Sequence, residues 1–184
     1  RDVSEIESYE IALELTITWL NRILFLKLLE GQLIKYNNNP DFAFLNYKKV
    51  NEYDVLEELF FEVLAVNYKE RPDSIQKIYG NIPYLNSSLF EETELERTYF
   101  GINVLKDRLD IPIYSNTVLN FQVKGSSKRT LEYLFEFLDA YDFGDESKGK
   151  IKENSKPIIN ASVLGLIFEK INGYKDGSFF TPSF

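Results

Sequence analysis

The chain has 184 residues, 44% of them hydrophobic and 27% charged, with a formal net charge of −8. That is the balance of a globular domain with its own core, and it excludes wholesale disorder. Cys and His are both absent, which excludes a disulfide framework, thiolate chemistry, an imidazole base, a Ser-His-Asp triad and an ordinary zinc site.

The first predicted element is a long helix. Ser4 and Glu7 have the spacing of a capping box, in which each side chain satisfies an otherwise unpaired backbone N–H. An apolar run from Ile6 to Leu29 follows, and Gly31 is the expected C-cap. Apolar residues occupy nearly every side of the second half, so other elements must enclose it. Glu14, Arg22 and Lys27 interrupt its most apolar stretch, Ile11 to Leu29, and exclude a membrane span there. The acidic N-terminus has no secretory signature, so the cytoplasm is the expected compartment. Met is also absent and the chain starts at Arg1, as in a processed or excised segment or a sequence written without its modified residues.

Residues 37–41 read as a loop, and a second helix is expected from about Asn51 to Val66, with Val55, Leu56, Leu59, Phe60, Val63 and Leu64 on one face. Arg71-Pro72-Asp73-Ser74 opens a short turn or helix that stops at Gly80. Residues 81–91 read as irregular chain around Pro83 and Asn86-Ser87-Ser88. One or two short strands are expected within residues 99–122. Thr130 is expected to cap a helix from Leu131 to Ala140. The last helix runs from about Asn160 to Ile171, closed by Gly173, and an apolar tail follows. The expected fold is mainly α and bundle-like, with a minor β-hairpin or short-strand component. It divides into a helical domain (1–143), a charged loop or linker (144–156) and a closing segment (157–184).

Carboxylates, Lys, Tyr and hydroxyls are the groups left for chemistry. A PD-(D/E)xK nuclease needs clustered carboxylates for a metal and a Lys beside the attacking water. Pro40-Asp41 and Pro72-Asp73 supply the first half, but Glu146-Ser147-Lys148 is remote from both and reads as solvated loop charge. Residues 1–122 carry 12 basic and 20 acidic side chains, and residues 123–184 carry nine of each. An acidic chain repels phosphate backbones as a whole. Two basic groups stand as local candidates for a phosphate contact. Lys148, Lys150, Lys152 and Lys156 are interleaved with acids and read more simply as a solvated linker. Lys124, Lys128 and Arg129 form the second group. The glycines match no phosphate-cradling loop.

Four segments resemble a known family. Leu164-Gly165-Leu166-Ile167-Phe168-Glu169, followed by Gly177-Ser178-Phe179-Phe180-Thr181-Pro182, is similar to the entry into the adenine-N6 methyltransferase domain of restriction–modification enzymes. Ile82-Pro83-Tyr84-Leu85-Asn86-Ser87-Ser88-Leu89-Phe90-Glu91 resembles the Pro-Tyr-Leu-Asn-Gly-Gly-Leu-Phe phrase of fused type IIG (type IIS) enzymes, with Ser87 and Ser88 in place of glycines. Asn21-Arg22-Ile23-Leu24-Phe25 resembles their Asn-Arg-[Leu/Ile]-x-Phe helix. Residues 131–138, with Tyr141-Asp142-Phe143, resemble the helix end that precedes the methyltransferase.

The resemblance spans essentially the whole chain and implies a helical connector between an endonuclease and an S-adenosylmethionine-dependent methyltransferase. Phe179, Phe180, Thr181 and Pro182 would then border the cofactor pocket, where aromatic rings stabilise a sulfonium and the Thr181 hydroxyl offers a hydrogen bond. Double-stranded DNA and the neighbouring nuclease and methyltransferase domains are the implied partners, with Lys124, Lys128 and Arg129 as DNA-contact candidates. Mg2+ would serve the upstream nuclease. The family's Gly-rich cofactor loop and Asn-Pro-Pro-[Tyr/Phe] motif do not occur in this sequence, so the chain is expected to stop as the catalytic domain begins and to be inactive alone. A type I modification subunit's N-terminal helical part and a stand-alone helical interaction module are the alternatives.

Overall fold

Ser4 starts the structure. Its hydroxyl accepts the N–H of Glu7 at 3.2 Å, and α1 then runs over Glu5–Asn37, 33 residues, about 50 Å at the rise of an α-helix. The fold is that of a computed structural model, described over residues 4–119, 126–143 and 156–175. Gly31 does not end α1. The helix continues to Asn38, which takes the left-handed conformation (φ 47°) and donates to Ile34 and Lys35 carbonyls. Gly31 serves a different purpose: a Cβ there would lie 1.8 Å from the carbonyl oxygen of Phe143, so its bareness lets another segment press against the helix.

The second helix, α2, spans Tyr53–Glu58 and widens into a π turn over Leu59–Leu64. Leu56, Leu59, Phe60, Val63 and Leu64 are completely buried there. The short helix α3 (Asp73–Tyr79) ends at Gly80. A helix that periodicity did not reveal, α4 (Glu94–Thr98), opens with a complete capping box between Thr93 and Glu96. β1 (Asp110–Pro112) pairs antiparallel with β2 (Ser127–Arg129), with Asp110 opposite Arg129.

Next is α5, Thr130–Asp139. Thr130 is its first residue rather than its cap, and Arg129 before it offers no side-chain cap. The missing acceptor comes from Asp107, 23 residues upstream, whose carboxylate takes the N–H groups of Thr130 at 2.8 Å and Leu131 at 3.3 Å. β3 (Asp142–Phe143) and β4 (Ile158–Ile159) pair in parallel. Asn160 caps α6 by accepting the Val163 N–H at 2.9 Å. Gly173 does not close that helix, which spans Ala161–Lys175; one internal glycine costs only about 1 kcal/mol, and packing on α1 offsets it.

The chain is thus mainly helical, with two small two-stranded sheets among the described residues. One apolar core joins Leu15, Trp19, Ile23 and Leu26 of α1 to α2, the π turn, Phe90, α5, Phe143 and Leu164. No helix among the described residues is long and apolar enough to cross a membrane.

Candidate functional site

The charged residues of α1 are the starting point, because they lie where charge is costly. Arg22 and Glu96 are fully buried as side chains and pair at 2.5 Å. Burial by itself would raise the Glu96 carboxyl, yet hydrogen bonds from Arg22, the Thr93 N–H and the Trp19 indole, with the Arg22 charge, hold it below the usual carboxylate range. Trp19 Nε1 donates to Oε1 at 2.8 Å. Arg22 also donates to the carbonyls of Leu89 at 2.7 Å and Glu91 at 2.8 Å, and its guanidinium faces the rings of Phe60 and Phe61. All three nitrogens of the guanidinium donate, in four hydrogen bonds, which offsets much of the cost of burying it.

A turn further on, Lys27 Nζ pairs with Glu30 and with Asp139 of α5. Glu30 Oε2 accepts the N–H groups of Phe44 and Leu45. At the end of α1, Lys35 reaches Asp142 at 3.3 Å. One helix therefore uses three basic residues to hold three separate segments. Arg71 makes a similar clamp elsewhere, donating to Val66 at 3.1 Å and Ile82 at 2.8 Å.

A cleft of about 360 Å³ opens between the start of α2 and residues 105–108, lined by Tyr47, Asn51, Tyr53, Asp54, Lys106 and Asp107 among others. Burial, then the nearby Asp107 charge, pushes the Tyr53 phenol up, so Tyr53 stays protonated and can only donate or accept a hydrogen bond. Asp107 is committed to capping α5. The cleft can hold a small polar group, but its lining supplies no activated nucleophile. Among the described residues no cluster of carboxylates could hold a metal ion.

The residues singled out from sequence are spread over the molecule. Lys128 sits on β2 with its ammonium held between Glu132 at 2.9 Å and Glu136 at 2.8 Å, hydrogen bonds that raise its pKa. A phosphate would have to displace two carboxylates to reach it. Its neighbour Arg129 is half-exposed and lies 3.5 Å from Asp110. Lys124, Lys148, Lys150 and Lys152 lie outside the described residues, as do Phe179, Phe180, Thr181 and Pro182. Lys156 donates to the Asp139 carbonyl. Asp41 stands in a 3-10 turn after α1 and Asp73 in the first turn of α3, where a carboxylate favours the helix start. Sequence reasoning missed the Arg22–Glu96 centre. Its signal was present as charged residues inside the most apolar stretch of the chain.

The site is a structural polar centre that ties distant segments to one helix, within a mainly helical domain. The chain belongs to the family described as Domain of unknown function (DUF7814), whose model matches residues 2–159. No curated protein matches the chain. No solved structure matches it either.

Proposed function

We propose that this chain is the helical connector of a restriction–modification enzyme, seated between an endonuclease and an S-adenosylmethionine-dependent adenine-N6 DNA methyltransferase and not catalytic alone. The observation that supports this reading is where the resembling segments meet. Arg22 of the Asn-Arg-Ile-Leu-Phe segment donates to Leu89 and Glu91 at the end of the Pro-Tyr-Leu-Asn-Ser-Ser-Leu-Phe phrase. Phe25 packs edge-on against Phe90 at 5.9 Å. Asp142 and Phe143 of the Tyr-Asp-Phe segment lie against Lys35 and Gly31. Asn172 of α6, the helix carrying Leu-Gly-x-Ile-Phe-Glu, accepts from Asn21 at 3.1 Å. Segments some 150 residues apart are thus held by one helix, so the shared phrases serve to fasten a spacer around α1.

In this reading a connector needs rigidity more than chemistry, and buried ion pairs with one satisfied geometry provide it. Cytoplasmic DNA is the partner of the whole enzyme. Arg129 is the better placed of the two described contact candidates, because Lys128 is already paired. The Gly-Ser-Phe-Phe-Thr-Pro segment borders the cofactor pocket.

The test is cofactor titration beside thermal unfolding in the larger enzyme, wild type and Thr181→Ala. Loss of one hydrogen bond to a charged ligand group weakens binding by roughly 10- to 150-fold, with Tm unchanged. A lower Tm with unaltered affinity would assign Thr181 to packing and remove the cofactor reading of this segment. The chain by itself should transfer no labelled methyl group to duplex DNA.

A further inference from the structure

The first turns of α1 stand clear of the core. Every residue from Ser4 to Glu10 is exposed, including Ile6 at 75% and Tyr9 at 69%. At about 100° per residue, Ile6 and Leu13 fall on one line with Ile17, Leu20 and Leu24, and Tyr9 stands beside it. The most deeply buried line is a different one: Leu15, Trp19, Arg22 and Leu26 are roughly half a turn away around the helix, while on the stripe's own line Leu24, further along, packs on the core. Further along, the same line is covered. Ile17 is buried, and Asn21 at its border bonds Asn172 of α6. The stripe of exposed Ile6 and Tyr9 and half-buried Leu13 is therefore continuous with an interface α1 already makes.

Charge indicates the occupant. Glu5 borders the stripe on one side and Glu10 on the other, and Glu7 adds a third exposed carboxylate. None of the three forms an ion pair among the described residues. A second copy of the chain would set these acids against their own kind, and an anionic bilayer would repel them. The segment 176–184 carries Asp176 and no Lys or Arg, so it cannot complement them. We propose that the stripe docks a basic amphipathic helix of a partner protein, its apolar ridge on Ile6, Tyr9 and Leu13 and its Lys or Arg flanks on Glu5 and Glu10. Flanking charges of this kind set partner choice beside an apolar helix seam. The docking holds whether or not the chain belongs to a restriction–modification enzyme.

The probe is a fluorescein-labelled synthetic helix with Leu along one face and Lys on both flanks, titrated with the full chain and followed by anisotropy. Binding should occur, weaken as NaCl rises, and fall at least about tenfold in Ile6→Asp and in Tyr9→Asp. These side chains are exposed, so Tm should not change. Glu5→Lys with Glu10→Lys should lose the Lys-flanked helix and gain the same helix flanked by Glu. A photo-crosslinking residue at position 9 should capture the Lys-flanked helix. Capture of residues 176–184, a covalent dimer of the chain, equal binding of both helices, or no binding would each overturn the proposal.

Discussion

Gly31, in the body of α1, and Phe143, in β3, approach so closely that a methyl group on Gly31 would stand 1.8 Å from the Phe143 carbonyl oxygen. Helix propensity and packing therefore make opposite predictions for Gly31→Ala. Propensity favours alanine by about 1 kcal/mol. The clash is with backbone, which cannot rotate aside, and overpacking of this kind costs about 1–3 kcal/mol or more. The variant should unfold at lower urea than wild type. A higher midpoint would show that β3 is free to move off the helix.

Arg22→Met should be far worse than its loss of contacts implies. It leaves Glu96 buried without its cation, and breaking a buried pair in this way costs about 3–5 kcal/mol. Arg22→Met combined with Glu96→Leu should lose less than Arg22→Met alone, because no charge is then stranded. A double-mutant cycle by urea denaturation measures the difference. Simple additivity of the two single losses would show the pair to be uncoupled.

Two glutamates should give stability opposite dependences on pH. Glu96 titrates lower in the folded chain than its ordinary value of 4.5, so its contribution is complete above that value and is lost as pH falls below it. Glu96→Gln should flatten the acid limb. Glu57 is raised, first by burial and then by Asp54 and other carboxylates, so its charged form opposes folding as pH rises through 4.5. Glu57→Gln should therefore stabilise at pH 7 and have little effect at lower pH. Urea midpoints measured across pH check both signs, and a Glu57→Gln gain that persists unchanged in acid would refute the second.

Asp107→Ala should fray α5 from its first turn. Losing a carboxylate that caps a helix costs about 0.5–2 kcal/mol. The amides of Thr130 and Leu131 should lose hydrogen-exchange protection before those near Leu138 do. Uniform loss along the helix would mean that Asp107 acts on packing instead.

What the sequence made legible follows from how local each cause is. Ser4 with Glu7 marked the start of α1, and the Leu131–Leu138 pattern marked α5, because both signals lie within a turn or two. The end of α1 was misplaced because Gly31 answers to Phe143, a residue 112 positions away. The cap of α5 was misassigned for the same reason, since Asp107 acts across 23 residues. α4 carries a local signature in Thr93 and Glu96, but five helical residues with Leu95 as their apolar member give periodicity nothing to detect. The Arg22 centre draws on Leu89, Glu91 and Glu96 together, and only the folded chain assembles it. The resembling phrases were legible as text; that they fasten onto one helix was not.

The satisfaction of α1 by distant residues also sets an order of events at the ribosome. The helix is complete once residue 37 has emerged, yet Arg22 waits for Glu96 and Lys27 waits for Asp139. At about 5–20 residues per second, the hundred or so intervening residues take roughly 5–20 s to be made. Through that interval a long rod, apolar on nearly every side of its second half and with Arg22 still lacking its carboxylate, is available to chaperones and to other nascent chains. Truncated products ending before Phe143 should thus be the aggregation-prone species of this protein, and yield should respond to chaperone supply during synthesis more than to the stability of the finished fold.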